Sequence, residues 1–272
     1  MIIDFHVHIG KQEHWHPWVN EHFKDLNPKL YEQFDDIMNP DGLEAYLKEQ
    51  GVDFAVLLAE NSPITTGIVS NEFVRDFCKK KDMFVPFASI DPKIHDHPGK
   101  RLKKLVEEDG FKGLKLYPSY QQYHPNDELV YPLYEEAQDL RIPVLIHTGS
   151  SVFKGSRMKF ANPLFLDDVA VDFPDLNIIM AHSGRGLWYK EAYFISKRHE
   201  NIYMEISGLP PKKLPSYFPK LEENADKVIF GSDWPGLSSI KANIEAIYDL
   251  PLKSSTVEKI LGQNAMTLLG LK

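Results

Sequence analysis

The chain begins with Ile2-Ile3-Asp4-Phe5-His6-Val7-His8, a segment in which apolar and polar side chains alternate. Alternate residues of a β-strand point to opposite faces. One face of this strand should therefore be apolar, and the other should carry a carboxylate and two imidazoles. Two histidines at positions i and i+2 can both reach one ion above the end of the strand. The segment predicts a strand that contributes to a metal site, with further ligands elsewhere in the chain.

Short apolar segments recur along the chain, with longer segments of helical spacing between them. The predicted strands are Ile2–His8, Phe54–Leu58, Phe84–Ala88, Phe111–Tyr117, Val144–His147, Ile178–His182, Ile202–Glu205 and Val228–Ser232. The first predicted helix begins at Asp41. The other predicted helices are Asn71–Lys81, Pro98–Glu108, Leu129–Leu140, Pro163–Phe173, Ser238–Tyr248, Ser254–Ile260 and Asn264–Leu269. Strands that alternate with helices indicate a parallel sheet. Eight such units in 272 residues favour a single α/β domain over residues 1–272, a closed (β/α)8 TIM barrel.

Residues 11–40 form a long aromatic-rich segment after the first strand. Loops of this length inside a compact domain are usually lids or binding loops. In a barrel this segment follows a strand and so lies over the C-terminal mouth, where barrel enzymes keep their active sites. We predict a lid, or equally an aromatic mini-core that covers the barrel. Its histidines His14, His16 and His22 are interpreted as ordinary loop residues.

Composition excludes several classes of protein. The net charge of −8 argues against nucleic acid and anionic membrane as partners. The single cysteine, Cys78, excludes an internal disulfide and a thiolate metal cage. No apolar run approaches the roughly 18 residues of a membrane span, and the N-terminus lacks the features of a signal peptide. We therefore expect a cytoplasmic protein that acts on a small molecule.

Three later strands end in residues that could join the first pair of histidines. The fifth and sixth strands end in His147-Thr148-Gly149 and His182-Ser183-Gly184, and the eighth ends in Ser232-Asp233-Trp234-Pro235. The C-terminal ends of barrel strands face one mouth, so His6, His8, His147, His182 and Asp233 should converge. Imidazoles and a carboxylate suit Zn²⁺ and related divalent ions. One such histidine would be interpreted as a core residue, but the whole set indicates a metal site.

These motifs resemble the amidohydrolase superfamily, and within it the amidohydrolase-related branch of metal-dependent hydrolases and decarboxylases. The resemblance extends from residue 2 to residues 260–265 in the tail. It implies a distorted (β/α)8 barrel and usually one divalent metal, Zn²⁺ or alternatively Mn²⁺, although some members work without metal. His6, His8, His147 and Asp233 would be ligands, and Asp233 would also transfer a proton. His182 would orient water or polarise the substrate. A homodimer is expected from the resemblance alone.

Four other residues are candidates for substrate binding. Lys115 and Tyr117 share the lumen face of the fourth strand. Lys115 could instead pair with a buried carboxylate such as Asp4, or be carboxylated and bridge two metals, and Tyr117 could simply pack at the mouth. Arg185 could hold a substrate carboxylate bidentately, or be a surface cation. Trp234 would line the pocket or pack beneath it.

The main functional hypothesis is a hydrolase that attacks the carbonyl carbon of a small amide, lactone or ester with a metal-activated water. Asp233 would accept the proton of the water and pass it to the leaving group, and His182 and the metal would stabilise the oxyanion. The alternative is a metal-dependent non-oxidative decarboxylase of an aromatic or enoic acid. A third hypothesis, a barrel that binds a metabolite or metal without catalysis, ranks below both.

Overall fold

The computed structural model describes residues 1–271 as a barrel of parallel strands surrounded by helices. In chain order the strands are β1 (Ile3–His8), β2 (Phe54–Leu58), β3 (Glu60–Ser62), β4 (Gly67–Val69), β5 (Phe84–Ser89), β6 (Gly113–Leu116), β7 (Val144–Gly149), β8 (Ile178–Arg185), β9 (Ile202–Glu205) and β10 (Val228–Ile229). Eight of them pair in the order β1-β2-β5-β6-β7-β8-β9-β10. This confirms the predicted TIM barrel.

The barrel closes between β10 and β1 through individual backbone hydrogen bonds. Phe5 N donates to Phe230 O at 3.1 Å, Asp233 N donates to His6 O at 2.9 Å, and His8 N donates to Trp234 O at 2.8 Å. The segment after β10 thus runs beside β1 for its whole length. As a result, Asp233 lies next to the two histidines of β1 although the residues are far apart in sequence.

A bulge in β1 breaks the alternation that the sequence suggests. The register with β2 shifts between Asp4 and Val7. Phe5 therefore packs in a cluster made almost entirely of strand residues, edge-on to Phe87 at 5.4 Å, whereas Val7 joins the cluster beneath the helices. The apolar residues of β1 consequently serve both cores, while His6 and His8 still reach the mouth.

The helices are short and mostly amphipathic. They are α1 (Pro17–Leu26), α2 (Pro28–Glu32), α3 (Phe34–Ile37), α4 (Pro40–Glu49), α5 (Asn71–Cys78), α6 (Pro98–Glu107), α7 (Pro118–Gln121), α8 (Tyr131–Asp139), α9 (Leu166–Asp172), α10 (Tyr189–Arg198), α11 (Leu214–Tyr217), α12 (Ile240–Tyr248), α13 (Ser254–Glu258) and α14 (Asn264–Leu269), with a π-helical turn at Lys259–Gln263. The sequence prediction lacks the hairpin β3–β4 and the helices α1, α2, α3, α7, α10 and α11. Among residues 1–271 no helix is long and apolar enough to cross a membrane.

Segment 11–40 is helical rather than an irregular loop, and it packs on the hairpin β3–β4. His16 N donates to Thr66 O at 2.9 Å, and the Trp18 indole donates to Thr65 O at 2.9 Å. Gly67, at φ +130°, has no room for a side chain because a Cβ there would collide with the His14 carbonyl. The hairpin thus anchors the segment at the mouth of the barrel.

Candidate active site

A cavity of about 320 Å³ lies at the C-terminal ends of the strands. One side of it is the strand-end wall, which we define as His6, His8, His147, His182 and Asp233. Facing this is the aromatic wall, which we define as Trp15, Phe23, Tyr120 and Phe153. The five residues predicted to converge from four strand ends therefore share one cavity.

Three atoms of the strand-end wall form a triangle that fits a metal ion. His6 Nε2 lies 3.2 Å from His8 Nε2 and 3.5 Å from Asp233 Oδ1, and His8 Nε2 lies 3.4 Å from the same oxygen. Donors about 2.0–2.1 Å from a tetrahedral zinc ion would be about 3.3 Å apart. His6, His8 and Asp233 thus suit a divalent metal.

His147, the other predicted ligand, lies in the cavity but outside this triangle. Its ring centre is 4.8 Å from that of His182 and 4.9 Å from that of Tyr120. Burial lowers the pKa of His147 well below its usual value, and its buried Nε2 has no hydrogen-bond partner among residues 1–271. A buried nitrogen without a hydrogen-bond partner is rare. Nε2 of His147 is therefore available to bind a metal or ligand that is not part of the protein.

Asp233 is the ionised carboxylate of the site. Burial would raise its pKa, but His182, a hydrogen bond from His8 and the charge of Arg185 together hold the pKa well below its usual range. One oxygen belongs to the metal triangle, and the other accepts a hydrogen bond from Arg185 Nη1 at 3.3 Å. The residue has a left-handed backbone, with φ of +67°. At rest Asp233 can accept a proton but has none to give.

His182 is buried beside Asp233, with Nδ1 3.9 Å from Asp233 Oδ2. Its Nδ1 is 3.1 Å from the carbonyl oxygen of Ser207. Burial lowers the pKa of His182 well below its usual value, and the positive charge of Arg185 lowers it further. The backbone is left-handed at His182, with φ of +63°, and at Ser183, with φ of +45°. The imidazole is therefore neutral and faces the cavity.

Lys115 is fully buried on the cavity floor, 3.5 Å from His6 Nε2. Burial lowers its pKa to about 8, while the carboxylates of Glu205, Asp233 and Glu60 oppose this shift. Asp4, suggested as a structural partner for Lys115, instead accepts hydrogen bonds from the backbone of His6 and Ser232. Lys115 thus faces the site carboxylates.

Tyr117 lines the cavity, whereas Trp234 packs beneath it, which is one of the two positions predicted for it. The Tyr117 hydroxyl donates to Ala59 O at 3.0 Å. Trp234 is fully buried and packs against Phe34, at 6.3 Å, and Tyr46, at 5.6 Å, and it does not line the cavity. The preceding residue, Asp233, places its side chain in the metal triangle. The chain then turns, and the indole of Trp234 points into the core beneath segment 11–40.

Arg185 lines the cavity and is about one quarter exposed, with a side-chain accessibility of 24%. Besides Asp233, it donates from Nη2 to Ser150 O at 3.0 Å. Gly208, at φ +64°, makes room for it, since a Cβ there would collide with Nη1. The guanidinium is therefore held at the cavity with donors still available to an anion.

Two residues that line the cavity were missed or misjudged from the sequence. Buried Glu60 has Oε2 3.9 Å from His8 Nδ1, and it lies two residues after the end of β2, so the strand-end rule could have found it. Buried Glu205, which ends β9, lies behind the lining residues, with Oε2 3.2 Å from His6 Nδ1. His22 lines the cavity against Phe153, at 5.3 Å between ring centres, and is not the ordinary loop residue expected. Only the folding of α1 reveals it.

Comparison with known proteins agrees with this geometry. A family model described as amidohydrolase matches residues 3–271. The gamma-resorcylate decarboxylase of Rhizobium sp. (strain MTP-10005) is 24% identical over 212 residues, which are 61% of this chain and 64% of that protein. The match thus covers less than two thirds of the relative's length.

Solved structures give the same fold. An uncharacterized TIM-barrel protein from Bordetella bronchiseptica has a TM-score of 0.82 at 25% identity, covering 99% of this chain and 98% of the other. A dihydroxybenzoic acid decarboxylase from Polaromonas sp. JS666, solved with bound manganese and 2-nitroresorcinol, has a TM-score of 0.75 at 18% identity, covering 99% and 97%. With its barrel, its strand-end motifs and a match along nearly its whole length, the chain belongs to the amidohydrolase family.

Proposed function

We propose that this protein is a metal-dependent, non-oxidative decarboxylase of a small aromatic or enoic carboxylic acid. The observation that carries the proposal is the composition of the cavity. Arg185 and Lys115 supply positive charge beside the candidate metal triangle, and the aromatic wall faces them. A flat, conjugated carboxylic acid fits this cavity, because its carboxylate suits the positive side chains and its flat face suits the aromatic wall. The similarity to a gamma-resorcylate decarboxylase favours this activity over the hydrolysis that we first expected.

One divalent ion would be held by His6, His8 and Asp233, with His147 as the fourth ligand through its unpartnered Nε2. Zn²⁺ and Mn²⁺ are the candidates. The triangle edges suit tetrahedral zinc, and the decarboxylase from Polaromonas contains manganese. When bound, such an ion would neutralise negative charge on the substrate and act as a Lewis acid.

Decarboxylation breaks the bond between the carboxylate carbon and the substrate, and leaves the electron pair on the substrate carbon. That carbon must gain a proton. Asp233 is ionised at rest, so it must first take a proton from the substrate or solvent and then deliver it to the carbon. Arg185 would hold the anionic group while the aromatic wall aligns the ring.

Hydrolysis of a small carbonyl compound is the second candidate, and the ionised Asp233 favours it. The carboxylate lies in the metal triangle, where it can accept a proton from water. The two reactions use the same residues but give different products. A product assay therefore distinguishes them without any change to the protein.

The test combines metal analysis with a product assay. Purified, untagged protein is analysed by mass spectrometry for metal, beside a His6→Ala/His8→Ala variant. The metal-loaded protein is then incubated with carboxyl-¹³C-labelled dihydroxybenzoates and enoic acids, and with lactones, esters and amides. About one metal per chain, lost in the variant, together with release of ¹³CO₂, would support the proposal. Hydrolytic cleavage alone would establish the second candidate, and ligand-induced stabilisation without turnover would indicate a binding protein.

A further inference from the structure

Ser207 lies two residues after the end of β9 and is fully buried behind the strand-end wall. Its hydroxyl oxygen is 2.8 Å from Glu205 Oε2, 2.9 Å from His182 Nδ1 and 3.1 Å from His6 Nδ1. A single hydroxyl therefore joins two imidazoles and one carboxylate. We refer to Glu205, Ser207, His6 and His182 as the serine cluster.

The proton positions in the serine cluster follow from which atoms can donate. His182 Nδ1 is also 3.1 Å from the carbonyl oxygen of Ser207, which can only accept. Nδ1 of His182 must therefore carry the ring proton. His6 Nδ1 is also 3.2 Å from Glu205 Oε2, and a carboxylate oxygen can only accept. Nδ1 of His6 therefore carries the ring proton, and Nε2 of His6 is unprotonated.

These assignments satisfy every partner of the Ser207 hydroxyl. A hydroxyl has one proton to donate and two lone pairs to accept with. It can accept from Nδ1–H of His6 and of His182, and donate its own proton to Glu205. Glu205 is fixed in turn by two backbone donors, Ser207 N at 2.7 Å and His182 N at 3.2 Å. Both carboxylate oxygens are thus oriented before a ligand arrives.

We propose that Ser207 is a positioning residue that holds His6 and His182 in the Nδ1–H tautomer, so that both present an unprotonated Nε2. For His6 this is the form required of a metal ligand that binds through Nε2. For His182 it means that Nε2 accepts a proton or a hydrogen bond and does not donate one. A role of Ser207 in turnover rests on the proposed function, but the tautomer assignment of His6 and His182 does not.

The serine cluster also explains a second group of potential metal ligands. His6, His182 and Glu205 each offer a ligand atom within 4.8 Å of the others. The Ser207 hydroxyl already bonds to an atom of all three, so this group is a hydrogen-bonded support for the cavity. Of the two candidate ligand groups in residues 1–271, we therefore propose the triangle of His6, His8 and Asp233 as the metal site.

Nitrogen NMR tests the tautomers directly. Metal-free protein labelled with ¹⁵N-histidine is studied by long-range ¹H–¹⁵N correlation, and signals are assigned with His6→Gln and His182→Gln variants. Protonated and unprotonated ring nitrogens have well-separated shifts. We expect protonated Nδ1 and unprotonated Nε2 for both rings. An Nε2–H tautomer for either ring in the unmodified protein would overturn the proposal, whether or not any variant folds.

The role of the hydroxyl is tested with Ser207→Ala, Ser207→Thr and the matched control Ser183→Ala. Ser183 is also a buried serine, but its hydroxyl donates to Glu205 O at 2.8 Å and touches no imidazole nitrogen. In Ser207→Ala, His182 Nδ1 keeps the Ser207 carbonyl and His6 Nδ1 keeps Glu205, so we expect shifts at both rings from the loss of the shared hydroxyl. Zn²⁺ affinity, measured by competition with a fluorescent chelator, should fall about 10- to 100-fold.

The threonine variant keeps a hydroxyl and should restore both the ring shifts and Zn²⁺ binding, and the Ser183→Ala control should change neither. Unchanged ring shifts and unchanged Zn²⁺ affinity in Ser207→Ala would show that the hydroxyl does not position the rings. Because neither readout requires turnover, this result is separate from any failure to find decarboxylation.

Discussion

The two walls of the cavity differ in how the chain builds them. The strand-end wall comes from four strand ends of one hydrogen-bonded barrel, so each side chain is fixed by its neighbouring strands. The aromatic wall comes from segment 11–40, α7 and the loop after β7, which are not paired in the barrel. Rigid elements hold reacting groups more accurately than loops do, whereas loops vary more freely. Chemistry and substrate choice should therefore be separable by mutation.

The largest effect is expected from Asp233→Asn in the strand-end wall. The substitution keeps the shape but removes the charge that accepts and returns a proton. Turnover should fall about 10²- to 10⁴-fold, the usual contribution of a positioned acid or base. The assay is ¹³CO₂ release, with circular dichroism to show that the fold is kept. Activity close to that of the unmodified protein would remove Asp233 from the reaction.

Arg185→Gln should weaken substrate binding more than it slows the chemical step. Charge-assisted hydrogen bonds contribute about 1.5–3 kcal/mol, so KM should rise about 10- to 100-fold while metal content is unchanged. The matched control is Arg198→Gln, because Arg198 at the end of α10 forms an exposed ion pair with Asp167 on α9. Equal KM values for the two variants would mean that Arg185 only supports Asp233.

Asp4→Asn should change stability rather than catalysis. Burial raises the pKa of Asp4 from 3.8 to about 7. In the unfolded chain the carboxyl of Asp4 ionises at lower pH. The free energy of unfolding therefore falls as the pH rises from about 4 to 7, and Asp4 causes no further fall above pH 7. In metal-free protein the variant should lack this loss, so its advantage in free energy of unfolding over the unmodified protein should be about 4 kcal/mol larger at pH 8 than at pH 4. Urea unfolding at both pH values measures the difference, and exposed Asp82→Asn should show none.

Phe153→Ala should have the smallest effect, confined to recognition. Contacts between aromatic rings contribute about 0.5–1.5 kcal/mol, so KM for aromatic acids should rise about 3- to 10-fold. KM for small enoic acids and the metal content should stay the same, as should all values for exposed Phe194→Ala. Loss of metal from Phe153→Ala would show that the two walls are coupled after all.

The strand-end wall could be predicted from the sequence because one rule locates it. Short apolar segments that end in His147, His182 and Asp233 must bring those residues to one mouth once the strands are parallel. The same rule could have found Glu60. It left two positions open for Trp234, and the structure shows the indole in the core because the chain turns after Asp233.

The aromatic wall could not be predicted from the sequence. His22 and Phe153 meet only because α1 packs over the mouth and the loop after β7 rises beside it. No local pattern specifies that contact, since loop conformations depend on tertiary packing. The bulge in β1 is a similar case, because alternation alone places Phe5 and Val7 on one face.

The left-handed backbone at His182, Ser183 and Asp233 has a consequence for engineering. Only glycine adopts this conformation without cost, and other residues lose roughly 1–3 kcal/mol there, less for aspartate. A library selected for heat resistance alone should therefore enrich glycine at these three positions, and at two of them it would discard residues that line the cavity, His182 and Asp233. At these positions selection for stability would favour glycine, whereas selection for activity would favour the present residues.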